Sequence, residues 1–421
     1  MRYPKSKFNI LIGLPLLILF LTGCGGLFCA DGYSYREDVP VYVELSDVRR
    51  VETQAPREIA EPGKIYLHHN LILINEVEEG IHVLDNSDPE NPVNLAFIAI
   101  PGNHDLLVRE DETGTVLYAD SYIDLVALDL STIGGNLEEV KVLKRIEDVF
   151  KGLYPEPEDG RLLVGYEEGE LRWVCGGGVE DGAPSPSPDA PGGGSDGGAS
   201  QGGSLARFAA LGDYLYTIDG DQIQSFYLET LDDPVLFNRV SVDFGIETLF
   251  PYPRETGDQL YVGGNQGMYI MDASDPGNLR KAGEISHVQS CDPVVVQDDL
   301  AYVTLQGSCF GQSNRLEIID VSEPSSPELI IDYPLQEPYG LGVDDNYLFV
   351  CDGAAGLKVY ENAREPKNLN LIKQLDEVGA RDIIPYNGLA IVIAENGFFQ
   401  YDYSSLANGE MTLLSSIPVV D

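Results

Sequence analysis

Short apolar runs separated by turn residues recur along the chain from Ile65 to the C-terminus. Each unit has an apolar run, a short turn rich in Gly, Asn or Asp, and a second apolar run that often ends in Asp. Apolar runs of about four to six residues bounded by such turns are typical of β-strands, and paired runs are typical of β-hairpins. The pattern therefore predicts an all-β fold.

Eight hairpins of this kind can be aligned. The clearest copies end in Asp-x-Ser-x-Pro turns; they are residues 71–74 with 82–89, 260–262 with 269–276, and 301–303 with 317–324. The looser copies are residues 116–119 with 126–131, 162–166 with 171–175, 214–218 with 223–228, 347–352 with 357–361, and 389–394 with 398–403. Their spacing of about 41 to 48 residues is that of a β-propeller with four-stranded blades. We expect eight blades, with seven as the alternative, because the copy at residues 162–175 lacks the usual turn.

The repeats resemble those of a known family, the LVIVD-repeat propeller proteins, and in particular its lipoprotein members. The resemblance lies in residues 62–66 (PGKIY), 80–87 (GIHVLDNS), 290–296 (SCDPVVV) and 339–346 (YGLGVDDN). It implies a propeller at the cell surface or facing the periplasm, over residues 62–421. It implies no established activity.

The N-terminus has the features of an export signal. Residues 1–23 combine basic residues with an apolar run and contain no acid, and they end in residues 21–24 (LTGC), which are similar to a bacterial lipobox. We expect residues 1–23 to be removed and Cys24 to carry the lipid. Gly25 then favours the outer membrane. Residues 24–61 are interpreted as a tether followed by a segment that covers a sheet edge.

Composition adds two constraints. The chain has 69 acidic and 26 basic residues and a formal net charge of -43, so its surface repels nucleic-acid backbones, and we expect no nucleic-acid partner. Residues 176–204 are rich in Gly, Pro and Ser and contain no aromatic residue. Such a segment buries too little surface to order itself, and we interpret it as a disordered insertion.

Six Cys in an exported chain suggest disulfide pairing. In a propeller blade, the start of the innermost strand and the hairpin between the second and third strands lie on one face. Cys291 and Cys309 occupy these two positions, so we predict a disulfide between them. The pairing of Cys29, Cys175 and Cys351 is left open.

Neither a catalytic set nor a metal site is predicted from sequence motifs. No pair of the five His has a helical zinc spacing, and His68 and His69 are neighbours on a predicted strand, where successive side chains point to opposite faces. No calcium-loop motif is present. We therefore expect no cofactor, with Ca²⁺ as the weak alternative.

Charged residues recur at the start of the innermost strand of several blades. Aligning the blades places six of them at similar heights around the central channel; they are Lys64, Asp105, Arg207, Glu247, Asp292 and Asp382. Arg381 and His104 lie beside them, and Arg381 is included in the candidate ligand site. One interpretation is that they bond between blades and to water. The other is a pocket for a small polar ligand or a cation, because propellers commonly bind ligands at the channel mouth.

These observations favour an outer-membrane lipoprotein whose propeller is a non-catalytic scaffold for a protein or an extracellular polymer such as a glycan. One alternative is a propeller hydrolase or lyase that uses the acidic cluster at the channel mouth. A third is an outer-membrane assembly factor, which rests on analogy of fold alone.

Overall fold

The computed structural model of the chain describes residues 32–131, 140–175, 200–243, 245–254, 257–286, 293–307 and 314–420. The predicted signal peptide and Cys24 lie outside these ranges, as do residues 176–199 of the insertion. Among the described residues, no helix is long and apolar enough to cross a membrane.

The described chain divides into two compact units. Residues 32–39 and 166–175 belong to the smaller unit, and the remaining residues belong to the larger one. With strands numbered in chain order, a two-stranded sheet pairs β1 (Gly32–Glu44) with β11 (Arg161–Cys175). A single helical turn, α1 (Leu45–Val48), follows β1.

The larger unit contains antiparallel sheets of four consecutive strands, which are the blades. Blade 1 consists of β3 (Pro62–His68), β4 (Leu71–Glu76), β5 (Gly80–Asp85) and β6 (Val93–Ala99). Blade 2 consists of β7 (Leu106–Asp111), β8 (Gly114–Ser121), β9 (Asp124–Asp129) and β10 (Lys141–Ile146). Blade 3 consists of β13 (Phe208–Leu211), β14 (Tyr214–Asp219), β15 (Gln222–Tyr227) and β16 (Val235–Ser241).

The remaining blades follow without interruption by another sheet. Blade 4 consists of β17 (Ile246–Tyr252), β18 (Gln259–Gly264), β19 (Gly267–Asp272) and β20 (Arg280–Ser286). Blade 5 consists of β21 (Val294–Gln297), β22 (Leu300–Leu305), β23 (Arg315–Asp320) and β24 (Glu328–Pro334). Blade 6 consists of β25 (Leu341–Asp344), β26 (Tyr347–Cys351), β27 (Leu357–Glu361) and β28 (Asn370–Leu375). Blade 7 consists of β29 (Ala380–Tyr386), β30 (Leu389–Ala394), β31 (Gly397–Asp402) and β32 (Thr412–Pro418). Short 3₁₀ turns lie at Pro366–Asn368 and Leu406–Asn408.

The blades close into a ring of seven. The first strand of each blade contacts the first strand of the next, and β29 of blade 7 contacts β3 of blade 1. The first strands therefore surround the central channel. The predicted propeller is confirmed with seven blades, and the count of eight is wrong.

The eighth predicted hairpin is one continuous strand. Residues 162–166 and 171–175 both belong to β11, and Gly169 between them does not adopt a positive φ. Tyr166 and Leu171 are half or more exposed, at 50% and 66%. The repeat pattern counted these apolar residues as a blade, although no turn separates the two halves and β11 pairs with β1 instead of forming a four-stranded sheet.

Burial along each blade follows position in the sheet. The second and third strands are nearly continuous runs of buried residues, as β30 shows with Ile391 and Val392 fully buried. They are covered on both faces by neighbouring blades, which explains their uninterrupted apolar runs. The fourth strand consists of exposed and partly buried residues in blades 2 to 7, whereas β6 of blade 1 has three buried residues, and in every blade its pairing with the third strand is broken by one register shift. Such bulges hinder edge-to-edge pairing with another chain.

The predicted Asp-x-Ser-x-Pro turns have the expected local bonds. Asp85 Oδ1 accepts the Ser87 backbone N–H at 2.9 Å and its hydroxyl at 2.6 Å. Asp320 does the same for Ser322, at 2.9 and 2.6 Å. The side-chain acceptor closes the turn without help from other elements, which is why the motif is readable from the sequence.

Two short strands extend blade 1. Strand β2 (Glu52–Gln54) pairs with the outer strand β6, and strand β12 (Ser200–Gly202) pairs with the inner strand β3. Because β3 lines the channel, β12 lies on the channel side of the blade. Within the segment predicted to be a disordered insertion, residues 176–204, the described residues 200–202 pair with β3, and the chain continues from there into blade 3.

Candidate functional site

The candidate site lies where the first strands begin, at one end of the central channel. There the structure brings together Lys64 of blade 1, Asp105 just before blade 2, and Arg207 just before blade 3. All three side chains are at least nine-tenths buried. Asp382 of blade 7 lies on the other side of blade 1 and is also buried.

Asp105 connects three blades. Its Oδ2 lies 3.1 Å from Lys64 Nζ in blade 1 and accepts the backbone N–H groups of Arg207 and, at 3.1 Å, Phe208 in blade 3. Its Oδ1 accepts the N–H of Leu106 in its own blade at 2.7 Å. Burial raises the pKa of Asp105, and burial lowers the pKa of Lys64. Each carboxylate oxygen is thus occupied by groups of the protein itself.

Asp120, at the end of β8, holds the chain that leads into blade 2. Its Oδ1 accepts the backbone N–H groups of His104 at 2.8 Å and Asp105 at 2.9 Å, and the side-chain amide of Asn103 at 2.8 Å. Burial raises the pKa of Asp120 although these amides oppose the shift. The sequence analysis did not identify Asp120.

The same arrangement recurs in other blades, which is the signal that could have identified Asp120. Glu76 accepts the backbone N–H groups of Ala60 and Glu61, and Asp352 accepts those of Gln336 and Glu337. An acidic residue at the end of the second strand therefore recurs in blades 1, 2 and 6, where it orients the segment that enters the blade.

His104 lies at the edge of this cluster. Its Nε2 is 3.3 Å from the hydroxyl of Tyr154 and 3.9 Å from Glu78 Oε1. Burial, followed by the positive charges of Arg207 and Lys64, lowers the pKa of His104 to about 4. The imidazole is therefore neutral at neutral pH.

Asp382 is held by the end of the insertion. Its Oδ1 accepts the N–H and the hydroxyl of Ser204, each at 3.2 Å, and the N–H of Ile383 at 2.9 Å. Its Oδ2 is buried without a hydrogen-bond partner among the described residues and faces Gly203, where a Cβ would lie 1.8 Å away. Burial raises the pKa of Asp382 to about 7.

Residues 203–206 cross the channel beside Asp382. The Ser204 hydroxyl accepts the N–H of Leu341 in blade 6 at 2.7 Å, and the Ala206 carbonyl accepts the N–H of Leu249 in blade 4 at 3.0 Å. We call residues 203–206 the channel crossing. A cavity of about 170 Å³ adjoins it; the lining residues are Gly203, Ser204, Phe250, Val295, Val296, Gln297, Leu341, Gly342, Val343, Ile383 and Pro385.

The other predicted site residues are placed differently. Arg381 points away from the buried cluster: it bonds Glu395, and its guanidinium lies 4.0 Å from the ring centre of Tyr339. Glu247 is partly buried near the start of β17.

Asp292, Cys291 and Cys309 lie outside the described residues, so the predicted disulfide stays a prediction. Cys351 is a buried free thiol whose pKa burial raises.

Comparison with known proteins agrees with this architecture. Solved structures with the same fold include a Bacteroides fragilis protein provisionally named a 6-phosphogluconolactonase, at 10% identity and a TM-score of 0.57, covering 85% of this chain and 96% of that one. Another is the periplasmic gluconolactonase of Pseudomonas aeruginosa, at 8% identity and a TM-score of 0.53, covering 88% and 97%. At these identities the likeness shows the fold alone. The comparison with curated proteins gives no match.

The chain is therefore a seven-bladed β-propeller whose channel-mouth charges bond mainly between blades. The LVIVD repeat model matches residues 256–285 and 290–334, in blades 4 and 5. These two segments are LVIVD repeats, which confirms the repeat resemblance found in the sequence.

Proposed function

We propose that this protein is a lipid-anchored cell-envelope propeller that acts as a non-catalytic scaffold for a protein or an extracellular polymer. One observation supports the proposal most directly. Asp105, the central carboxylate of the predicted ligand site, forms an ion pair with Lys64 and accepts hydrogen bonds from backbone amides of blades 2 and 3. A carboxylate used in this way holds blades together, because both of its oxygens already contact groups of the protein.

The channel crossing supports the same conclusion. Ser204 occupies Asp382 Oδ1 and is itself buried. A partner is then expected to bind the loop faces or the outer rim. The outer strands expose large apolar side chains there, including Val93, Val235, Phe237 and Leu413, each about half exposed.

Crosslinking in cells, followed by mass spectrometry of the purified full-length chain, tests the scaffold. We expect crosslinks from Lys residues on the outer strands, such as Lys141 and Lys373, to one reproducible protein or glycan. An outer-membrane protein undergoing insertion as the partner would instead favour the assembly-factor alternative. Crosslinks that vary from one preparation to the next would contradict the scaffold.

The anchor is tested separately. Residues 21–24 (LTGC) support lipidation of Cys24, and a lipidated protein is retained at a bilayer. We expect Cys24→Ser to move the protein from the membrane fraction to the soluble fraction, with Cys351→Ser, which alters a buried thiol, as the control that stays in the membrane fraction. Retention of the Cys24→Ser variant in membranes would contradict the lipid anchor and would leave the scaffold proposal unaffected.

A hydrolase is the second candidate, and Asp382 favours it. Its pKa of about 7 is suited to a general base, and its Oδ2 has no hydrogen-bond partner among the described residues. Two proteins with the same fold are named gluconolactonases. A lactone is therefore the substrate class to test first.

The assay compares hydrolysis of gluconolactone and 6-phosphogluconolactone by the wild type, Asp382→Asn, and the exposed control Asp376→Asn. The scaffold predicts that all three match the spontaneous rate. A wild-type rate that Asp382→Asn lowers at least about 100-fold, with Asp376→Asn unchanged, would establish the hydrolase instead.

A further inference from the structure

A second cluster of polar side chains lies between blades 1 and 2, at the far end of strand β3. His68 is the last residue of β3, His69 is in the turn to β4, and Glu110 is near the end of β7. None of the three belongs to the channel-mouth cluster. Lys64 and His68 are four residues apart on β3, so the two clusters are separated by about 13 Å along the strand.

The three side chains converge on one point. His69 Nε2 lies 2.5 Å from Glu110 Oε2, and His68 Nε2 lies 3.6 Å from the same oxygen. One possible ligand atom from each of the three residues lies within 4.8 Å of the other two. The two imidazole rings are 4.4 Å apart between centroids, at an angle of 60°.

The hairpin turn between β3 and β4 explains why the side chains of two neighbouring His both approach Glu110. The sequence predicts both on a strand with side chains pointing to opposite faces, and for His69 this prediction is wrong. Strand β3 pairs with β4 up to His68 and Leu71, so His69 and Asn70 form a two-residue hairpin turn. His69 has a φ of 51°. This left-handed conformation breaks the alternation of the strand and turns the His69 ring toward Glu110.

The cluster combines one buried side chain with two exposed ones beside a cavity. The His68 side chain is 5% exposed, whereas those of His69 and Glu110 are 54% and 45% exposed. A cavity of about 240 Å³ adjoins the cluster; its other lining residues are Asn70, Leu71, Thr115, Leu130 and Ser131. Three protein donors beside an open space leave a coordination position for water or a ligand.

We propose that His68, His69 and Glu110 bind a divalent transition-metal ion such as Zn²⁺. Two imidazole nitrogens and one carboxylate oxygen suit Zn²⁺ and neighbouring late transition metals, whereas Ca²⁺ and Mg²⁺ prefer oxygen donors alone. In a tetrahedral site with bonds of about 2.0 to 2.1 Å, two ligand atoms are about 3.3 Å apart. The distance of 3.6 Å from His68 to Glu110 already fits, and the exposed side chains of His69 and Glu110 can separate to admit the ion.

Zinc binding to the full chain after treatment with EDTA tests this site. Since a net charge of -43 attracts cations without a specific site, equilibrium dialysis against Zn²⁺ is done in excess Ca²⁺, which occupies sites made of carboxylates alone. We expect Zn²⁺ to remain bound in excess Ca²⁺. Co²⁺ bound in its place should give visible absorption bands of a site with nitrogen and oxygen donors.

The variants are chosen to leave the fold intact. His69→Asn keeps a residue that tolerates positive φ, and Glu110→Gln keeps the shape of an exposed side chain. Each should weaken Zn²⁺ binding at least about 10-fold and remove the Co²⁺ bands. Glu112→Gln, which removes one exposed negative charge two residues away, should bind like the wild type. Displacement of Zn²⁺ by Ca²⁺, or unchanged binding by both His69→Asn and Glu110→Gln, would overturn the proposal.

Discussion

The two ends of the inner strand β3 use polar side chains in opposite ways. At its start, Lys64 is buried against Asp105, which is also bonded to backbone amides of two other blades. At its end, His69 and Glu110 are about half exposed beside an open cavity. Strand β3 thus has a buried network of bonded side chains at its start, which we call the closed end. It has an accessible cluster at its last residues, which we call the open end.

The difference shows what burial does to a charged group. A buried charge without partners is costly, and at the closed end Asp105 and Asp120 each accept several hydrogen bonds and are thereby fixed in place. Groups at the open end keep contact with water, and their pairing adds little stability. Candidate ligand-binding residues are therefore better judged by their unused bonding capacity than by their position around a channel.

The largest expected effect comes from breaking the closed end. Asp105→Ala leaves Lys64 buried without its counter-charge and removes the acceptor for three backbone N–H groups. We expect the free energy of unfolding in urea to fall by about 3 to 5 kcal/mol, as for other broken buried pairs. A loss below about 1 kcal/mol would mean that the network does not hold the blades.

The next effect is a pH dependence caused by Asp382. Its pKa rises from an ordinary value of 3.8 to about 7 on folding, so between these values the folded protein holds a proton that the unfolded chain has lost. This stabilisation is complete below about pH 4 and is lost as the pH rises through 7, by up to about 4 kcal/mol. Asp382→Asn should therefore stabilise the protein more at about pH 8 than at about pH 5.

Urea unfolding of the wild type and Asp382→Asn across this pH range measures the effect. Asp376→Asn serves as the exposed control, because it changes the same charge outside the closed end. An equal effect of Asp382→Asn at both pH values would show that the carboxyl is not kept from ionising by burial.

A smaller effect is expected from filling the channel crossing. In Gly203→Ala the new Cβ would lie 1.8 Å from Asp382 Oδ2, so one of the two must move. We expect a loss of about 1 to 3 kcal/mol in stability, typical of overpacking a buried position. Gly165→Ala, whose Cβ would meet no atom within 4 Å, is the matched control. Equal melting temperatures for both variants would contradict the close contact between Gly203 and Asp382.

The smallest effect on stability should come from the open end. Glu110→Gln removes the charge that faces His69, but both side chains are about half exposed. We expect the free energy of unfolding without metal to change by less than about 1 kcal/mol. A loss as large as that of Asp105→Ala would show that the two ends do not differ in the way described.

The sequence predicted those features that depend on local chemistry. Apolar runs bounded by turns predicted the strands, and the Asp85-to-Ser87 bond is made within one turn, so the motif predicted it. The charged residues Lys64, Asp105 and Arg207 were also grouped correctly, because equivalent positions of repeated blades meet at the channel. The count of blades failed only at residues 162–175, where apolar residues pair outside the ring.

The sequence by itself determined an all-β repeat fold, because strand period and turn chemistry act over a few residues. Only the tertiary structure decided which charged side chains are buried and bonded within the protein and which are exposed. Asp120 acts on residues fifteen and more positions away along the chain, Ser204 reaches Asp382 across the channel, and the φ of His69 brings two imidazoles to Glu110 of the next blade. The apolar runs and turn motifs do not record these contacts, and for Asp120 the sequence signal is the acidic residue that recurs at the end of the second strand in blades 1, 2 and 6.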